Sequence, residues 1–412
     1  MAGERKPLFY IPTLYFVEGL PYTIVNMMSV VFFKSFGASN EFIGLTSFLY
    51  IPWVIKLFWA PLVDVYSTRR RWILVSHVVL AILTFMVALA SVTPRAVPIA
   101  LFLFLLIALA SATQDVAIDG YYLDVLTQGE QAFFVGVRNA AYKIAWLLGS
   151  GGLVFLAGRL AEQTSVKLGW CTAFAICSAM LVLAWAFHSW YLPQVIRSSA
   201  DHKPQSLTWE VFRKVFLSYF GQPSIIAIVL YILTFRLGDA LMLKMAQPFL
   251  LDPLVKGGLG ISTAEVGLIY GTAGTISLLL GGIIGGWLIA SGGLKKWLWP
   301  TALLQNSAIL LYWLLALAKP GLIWIAVVNS AEQFSYGLGV AAYTVFLLKT
   351  VKQDFRAAHY AIATAMMALG MMIPGAASGY LVTWLGYQNF FLISFVAAIP
   401  GIITIFFLPL KD

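Results

Sequence analysis

The chain has 412 residues, of which 61% are hydrophobic and only 10% are charged. A soluble protein of ordinary composition carries about a quarter charged residues, so this composition excludes that class and indicates a membrane protein. The net charge of +9 could suit a nucleic-acid partner, but Lys and Arg are concentrated in segments predicted to face the cytoplasm, such as 69–71 and 295–296. This positive-inside bias explains the charge, so we expect no nucleic-acid partner and two cytoplasmic termini.

Apolar segments long enough to cross a bilayer as helices recur along the whole chain. They predict an all-α membrane protein with twelve transmembrane helices in two six-helix bundles, residues 1–192 and 224–412. The polar stretch 193–223 between them is interpreted as a cytoplasmic linker. The first segment has no cleavage site after a short apolar core, so we expect it to be retained as a helix. The predicted spans are 8–34, 42–66, 72–92, 97–125, 132–160, 170–192, 224–250, 262–290, 297–318, 321–349, 357–384 and 388–409.

The two halves resemble each other at a nearly constant offset of about half the chain. The residues FVEG at 16–19 recur as FRLG at 235–238, and SATQ at 111–114 recurs as SAEQ at 330–333. A duplicated transporter would leave such a repeat. Shared apolar composition is the alternative explanation.

Ionisable side chains inside the fourth and fifth spans are the most unusual feature of the sequence. Asp115 and Asp119 precede a polar turn at 126–131, and Arg138 and Lys143 follow it. Two antiparallel helices would hold Asp119 and Arg138 at one depth, and Asp115 and Lys143 about one turn deeper. Charges at such depth are costly and normally face a bundle interior or an aqueous cavity.

Other spans carry buried charges as well. Glu18 and Lys56 match in depth, and Arg236 and Asp239 are three residues apart, close enough to pair on one helix face. Glu332 has no base at its depth within its own hairpin. Structural pairing is the competing interpretation for the matched charges, because a depth-matched acid and base neutralise each other.

Several stretches resemble the AmpG-type muropeptide permeases of the major facilitator superfamily. They include LYFVEGLPYTIV at 14–25, GLTSFLYIPWVIKLFWAPLVD at 44–64, ATQDVAIDGYYLDVL at 112–126 and FRLGDALMLKMAQPFLL at 235–251. The resemblance implies the major facilitator superfamily fold and import of anhydro-muropeptides, which are cell-wall turnover fragments, across the bacterial inner membrane. Siderophore importers and acetyl-coenzyme A transporters share much of this pattern, so those substrates, or another small anionic metabolite, are the alternatives. The chain departs from the family at Gly120, where alanine is commoner.

No motif supports an enzyme, since the chain has four scattered histidines and neither a G-x-S-x-G sequence nor a P-loop. We therefore expect a secondary transporter driven by an ion gradient, with no cofactor and no metal. Its expected partners are a glycopeptide substrate, protons and the lipid bilayer, and we expect a monomer. A membrane receptor or assembly factor without transport is the other hypothesis.

The buried charges and tyrosines supply the candidate functional residues. A proton-driven importer needs a carboxyl that binds a proton outside and releases it inside, so Glu332 is the first candidate for coupling and Glu18 the second. Bases suit substrate carboxylates, and tyrosines could stack on sugar rings, although many tyrosines in such proteins are interfacial or core residues. The predicted substrate-binding or cavity residues are Tyr22, Lys56, Asp115, Tyr122, Lys143, Lys244 and Tyr336, and the predicted gating or structural charges are Asp119, Arg138, Arg236, Asp239 and Asp64.

Overall fold

The computed structural model describes residues 6–60, 63, 66–194, 209–352 and 355–410. These residues form helices and connecting turns, with no β-strand among them. Nine of the helices in these ranges are long and apolar enough to cross a membrane. The helices are α1 (Pro7–Ser35), α2 (Asn40–Leu45), α3 (Ile51–Ile55), α4 (Arg69–Ser91), α5 (Ala96–Val125), α6 (Gln128–Gln163), α7 (Val166–Tyr191), α8 (Trp209–Phe220), α9 (Ile225–Leu251), α10 (Thr263–Gly292), α11 (Leu294–Ala318), α12 (Leu322–Lys349) and α13 (Arg356–Thr404).

The predicted spans differ from these helices in three places. α13 contains the eleventh and twelfth spans, which meet at Gly386, where a left-handed backbone (φ 73°) interrupts the helix. The second span is not a continuous helix, because α2 and α3 alternate with 3₁₀ turns at Thr46–Tyr50 and Lys56–Phe58. α12 is 28 residues long, but Glu332 and neighbouring polar side chains make it less apolar than the nine.

Serine and threonine side chains set where several helices begin. At the start of α6, Thr127 Oγ1 accepts the backbone N–H of Glu130, and the Glu130 carboxylate accepts the backbone N–H of Thr127. Ser262 and Glu265 form the same reciprocal pair at the start of α10. Each pair satisfies two N–H groups that the first helical turn leaves without partners. The turn predicted at 126–131 is therefore confirmed as the boundary between α5 and α6.

Three long helices contain π-helical segments, at Ile24–Met28, Leu147–Leu153 and Gly267–Gly274. Wide turns of this kind are frequently found at functional sites. The second and third segments pack closely on each other, since a Cβ atom at Gly271 would overlap the carbonyl of Ser150. Glycine is required at that contact because it lets the two backbones approach.

The chain divides into two compact units, each with its own core. The core of unit 1 contains Tyr10, Tyr121 and Phe134, and the core of unit 2 contains Tyr231 and Tyr343. The predicted linker boundary at 193–223 stays a prediction, since residues 195–208 lie outside the described ranges. Unit 1 comprises Met1–Ala38, Phe48–Ile196 and Ile261–Thr272, and unit 2 comprises Ser39–Ser47, Arg197–Gly260 and Ala273–Asp412.

Candidate functional site

One ion pair of unit 1 joins the two helices of the α5–α6 hairpin. Arg138 Nη1 lies 3.4 Å from Asp119 Oδ1 and donates a 2.9 Å hydrogen bond to the hydroxyl of Tyr15. That hydroxyl donates in turn to Asp119 Oδ1 at 2.8 Å. The guanidinium also lies over the rings of Tyr15 and Tyr122, at 5.2 and 4.9 Å from their centroids. The structure thus brings Asp119 and Arg138 together, although 51% of the Asp119 side chain is exposed.

A second ion pair of unit 1 joins Asp115 to Lys56. The expectation that Asp115 would face Lys143 is therefore wrong. Depth along a hairpin leaves the rotation about each helix axis undetermined. At about 100° per residue, Lys143 lies about 140° around α6 from Arg138, whereas Asp115 and Asp119, four residues apart, share one face of α5.

Glu18 of α1 forms no ion pair among the described residues. Its side chain is 7% exposed, and its Oε2 atom is buried without a hydrogen-bond partner. The expected pairing of Glu18 with Lys56 is wrong, because Asp115 binds that lysine. An unpaired carboxylate is costly to bury, whereas its protonated form is much less so. Glu18 is therefore a buried acid with capacity for a proton.

Five aromatic rings of unit 1 pack on one another, and we call them the aromatic cluster. The ring of Tyr22 is parallel to that of Trp146, with centroids 5.6 Å apart and 3° between the planes. Trp53 meets Tyr22 edge-on at 5.3 Å. None of the five is fully buried. The cluster consists of Tyr22, Tyr50, Trp53, Tyr142 and Trp146.

Lys143 belongs to the edge of this cluster. Its Nζ atom lies 3.5 Å from the centroid of the Trp146 ring. Within the described residues it forms no ion pair, in contrast to Lys56. The cation is held by a ring face instead of an acid, so its charge is not neutralised.

Tyr122 lies inside the hairpin, where its contacts are already made. Its hydroxyl donates to the backbone carbonyl of Gln131, and its ring packs under Arg138 and edge-on to Tyr15. Only 4% of the residue is exposed. These contacts support a role in holding the hairpin together.

In unit 2, α9 is broken at the residue where its buried charges begin. The first part ends at Thr234, and a new helix starts at Leu237 with Arg236 as a non-helical N-cap (φ −99°, ψ 12°). The Arg236 guanidinium lies 5.2 Å from the centroid of the Tyr336 ring, and its Nε atom is buried without a partner. The guanidinium of Arg236 thus lies over a ring and forms no ion pair with the Asp239 carboxylate.

The predicted Arg236–Asp239 ion pair is therefore wrong for the described structure. Asp239 is fully buried and accepts a hydrogen bond from the amide of Gln305 on α11. Its other oxygen, Oδ1, has no partner among the described residues. Gln305 in turn packs tightly on α12, since a Cβ atom at Gly339 would overlap its side chain.

Glu332 lies at the middle of α12 and is 2% exposed. Its Oε2 atom accepts a 2.8 Å hydrogen bond from Nε2 of the neighbouring Gln333. No Lys or Arg of the described residues forms an ion pair with it. The acid is thus solvated by an amide dipole, which stabilises a carboxylate less than a full positive charge would.

Lys244 of α9 is a further membrane-embedded cation that forms no ion pair in the described part of the chain. Its Nζ atom donates a 2.8 Å hydrogen bond to the hydroxyl of Thr46 in the same unit. An ammonium group has three donors, so at least two are not used by this bond. Tyr336, the other predicted cavity residue of unit 2, is half-buried beneath Arg236.

Arginines bind the ends of neighbouring helices in unit 1. Arg69 donates to the carbonyl of Gly120 at 2.5 Å and pairs with Asp124 at 2.8 Å. A Cβ atom at Gly120 would lie 2.5 Å from Arg69 Nε, so a larger residue here would require the Arg69 side chain to move. Asp64, the predicted lock beside these arginines, lies outside the described residues.

Two fully buried histidines form a network that sequence reasoning did not assign. His77 Nε2 and His188 Nδ1 are 2.9 Å apart, and His188 Nε2 lies 2.9 Å from Thr13 Oγ1. The other ring nitrogen of His77 meets the carbonyl of Ile73 at 2.6 Å. The network ties α1, α4 and α7 together. The sequence could have indicated this network only if it showed that the third and sixth spans pack on each other. Hydrophobic periodicity does not show which helices are neighbours.

The described residues hold no group of three His, Cys, Asp or Glu side chains arranged to bind a metal ion. The site is instead a set of charges in membrane-embedded helices. The sequence profile of the Major Facilitator Superfamily matches residues 13–347, which is most of the chain.

The chain belongs to the major facilitator superfamily. It is therefore a multi-pass membrane transporter of small molecules and not an enzyme. An uncharacterised protein of Haemophilus influenzae is 28% identical over 96% of this chain and 93% of its own length. The anhydromuropeptide permease of Escherichia coli K12 is 26% identical over 95% of this chain and 77% of its own length. The resemblance to the AmpG-type permeases is thereby confirmed.

Solved structures of other superfamily members share the fold. The D-xylose-proton symporter superposes with a TM-score of 0.74 at 15% identity, over 99% of this chain and 98% of that protein. The nucleoside transporter NupG superposes with a TM-score of 0.71 at 16% identity, over 98% of this chain and 99% of that protein. At these identities the likeness establishes the all-α transporter fold alone.

Proposed function

We propose that this protein is a proton-coupled importer of anhydro-muropeptides that works by alternating access. The observation that carries the proposal is that the charges without an ion pair among the described residues include both cations and acids. Among the described residues, Lys143 and Lys244 form no ion pair with an acid, and the buried acids Glu332 and Glu18 form none with a base. A transporter that couples an anionic substrate to protons requires both kinds of group.

The substrate assignment rests on the cations together with the named relative. Carboxylates of a peptide stem are suitable ligands for ammonium groups that have free donors. The Escherichia coli relative bears the name anhydromuropeptide permease and matches almost the whole of this chain. Tyr22 and Tyr336 are both half-buried, and we propose that each can stack on a sugar ring.

Coupling is assigned to Glu332, with Glu18 as the second candidate. Glu332 is nearly inaccessible and has an amide neighbour in place of a base. When the transporter opens inward, approach of a cation or of water would allow the carboxyl to release its proton.

The remaining proposals concern the setting of the protein. The basic segments suggest the bacterial inner membrane with both termini in the cytoplasm. We infer that a monomer is sufficient, since the proposed substrate and proton groups all belong to one chain. The Asp119–Arg138 and Lys56–Asp115 pairs then act as structural or gating elements.

Uptake into proteoliposomes tests the proposed function. Radiolabelled anhydro-muropeptide, a ferric siderophore and acetyl-coenzyme A are supplied side by side, with the outside more acidic than the lumen. We expect accumulation of the muropeptide, and we expect a protonophore to abolish it. Accumulation of only the siderophore or acetyl-coenzyme A would overturn the substrate assignment, and uptake that ignores the protonophore would overturn the coupling.

A further inference from the structure

The aromatic cluster of unit 1 is an unusual feature for a membrane-embedded bundle, because its rings remain partly exposed. Tyr22 contacts all four other rings, with centroids between 5.3 and 6.1 Å away. The rings come from α1, from the irregular second span and from α6. Rings from three separate segments therefore form one wall, and the core of unit 1 is built from other residues.

Lys143 adds a positive charge to one end of this wall. The Trp146 ring lies 3.5 Å from Lys143 Nζ, and this cation–π contact orients the ammonium group without neutralising it. Lys56, in contrast, is bound to Asp115 and offers no uncompensated charge. Among the described residues of unit 1, Lys143 is the membrane-embedded Lys or Arg for which the structure records no acidic partner.

We propose that the aromatic cluster and Lys143 form a subsite that binds a saccharide ring together with a carboxylate attached near it. The choice of a saccharide rests on the proposed function. The C–H groups on one face of a pyranose carry partial positive charge and pack on the negative faces and edges of aromatic rings. A carboxylate at the same end would receive a charge-assisted hydrogen bond from Lys143 Nζ.

The geometry also predicts which ligands this subsite rejects. An uncharged sugar would leave the ammonium group desolvated and without a counter-charge, which lowers affinity. An acidic group without a ring would find the lysine but not the aromatic surface. A ring with a phosphate, as in a nucleotide, is the competing chemistry, and the experiment includes it.

Binding to the purified protein in detergent tests the proposal without depending on transport. The probes are anhydro-muropeptide with free carboxylates, the same compound with its carboxylates amidated, and acetyl-coenzyme A. For the native protein we expect amidation to weaken binding about tenfold or more, because one charge-assisted hydrogen bond is lost. Lys143→Gln should lose about tenfold of that preference, because only the carboxylate contact of Lys244 then remains, and Lys143→Arg should keep the native preference.

Matched variants separate the subsite from general damage. Trp53→Ala should weaken binding of both muropeptides about equally, whereas the exposed Lys256→Gln and Trp384→Ala should leave binding unchanged. Gel filtration and thermal unfolding of each variant verify that it is folded. A Lys143→Gln protein that prefers the free carboxylates as strongly as the native protein does would overturn the inference, as would unchanged affinity in Trp53→Ala.

The outcome can be told apart from failure of the proposed function. If the native protein binds acetyl-coenzyme A and no muropeptide, the proposed function and the saccharide assignment both fail. If muropeptide is bound and transported but Lys143→Gln keeps the native preference, the proposed function survives and only the subsite is wrong.

Discussion

The two units treat their membrane-embedded charges differently. In unit 1, Asp119 pairs with Arg138 and Asp115 pairs with Lys56, and all four side chains are at least 15% exposed. Glu18 and Lys143 of the same unit form no ion pair among the described residues. In unit 2, the membrane-embedded charged side chains form no ion pairs among the described residues. They contact side-chain amides, a hydroxyl group and an aromatic ring. These residues are Arg236, Asp239, Lys244 and Glu332.

This difference separates two uses of a buried charge. A paired acid and base hold two helices together, and removing one partner leaves an uncompensated charge. A charge held by a neutral dipole keeps much of its capacity to bind a proton or a ligand. We infer that the pairs of unit 1 contribute mainly to stability and that the charges of unit 2 contribute mainly to transport.

The largest expected effect comes from Glu332→Gln in unit 2. Glutamine resembles the protonated acid, so the variant should bind substrate and exchange it across vesicles. With an outside pH lower by about one unit, coupling to one proton supports about tenfold accumulation, and this variant should show none. Parallel exchange and gradient-driven uptake assays in proteoliposomes measure both properties.

Glu162→Gln is the control for this prediction, since Glu162 is 43% exposed and pairs only with neighbouring Arg159. It should accumulate substrate like the native protein. Native accumulation by Glu332→Gln would exclude this residue as the coupling site, and Glu18 would become the next candidate.

The next largest effect should come from breaking Lys56–Asp115, which is less exposed than the Asp119–Arg138 pair of the same unit. Lys56→Met leaves Asp115 unpaired with 15% of its side chain exposed, which should cost about 2–3 kcal/mol of unfolding free energy. The double variant Lys56→Met with Asp115→Leu should recover most of that loss, because no charge remains unpaired. Denaturant unfolding in detergent, arranged as a double-mutant cycle, gives the coupling energy. Additive losses would show that the pair is not the stabilising element.

Arg138→Ala should cost less, about 1 kcal/mol. Asp119 is 51% exposed, and Tyr15 still donates a hydrogen bond to it after the change. The charge-reversed variant, Asp119→Arg with Arg138→Asp, should restore expression and unfolding free energy. If that variant folds but no longer transports, the two residues act in transport and the contrast between the units weakens.

The smallest expected change in stability belongs to Lys244→Met in unit 2. No ion pair is lost, and removing a desolvated cation should change the unfolding free energy by about 0.5 kcal/mol or less. Transport of an anionic substrate should fall at the same time, through weaker binding. A stability loss of several kcal/mol would mean that Lys244 has a structural partner, and the comparison would then fail for this residue.

The sequence predicted the hairpin pair but not its neighbour. Asp119 and Arg138 lie at equal distances from a turn that a capping box defines, so their equal depth was sufficient to predict that they pair. Lys56 comes from a different segment, whose 3₁₀ turns give it no regular period. Helical periodicity could not locate it, and the depth argument therefore assigned Asp115 to the wrong base.

The aromatic cluster was hidden from the sequence for a similar reason. Trp53 and Trp146 lie in apolar segments, where tryptophan is unremarkable by composition. They become notable only because they pack around Tyr22 beside an unpaired lysine. Gln305 is comparable, since an amide on α11 gains meaning only from its bond to Asp239.

The sequence by itself determined the class of the protein, the approximate positions of its helices and its family. Those properties follow from hydropathy, from charge composition and from short motifs, all of which are local in the chain. Tertiary structure alone decided which charges are paired, because pairing depends on the rotation of each helix and on contacts between distant segments. Arg236 illustrates the limit, since its guanidinium lies over the Tyr336 ring and, among the described residues, forms no ion pair with an acid only three residues away.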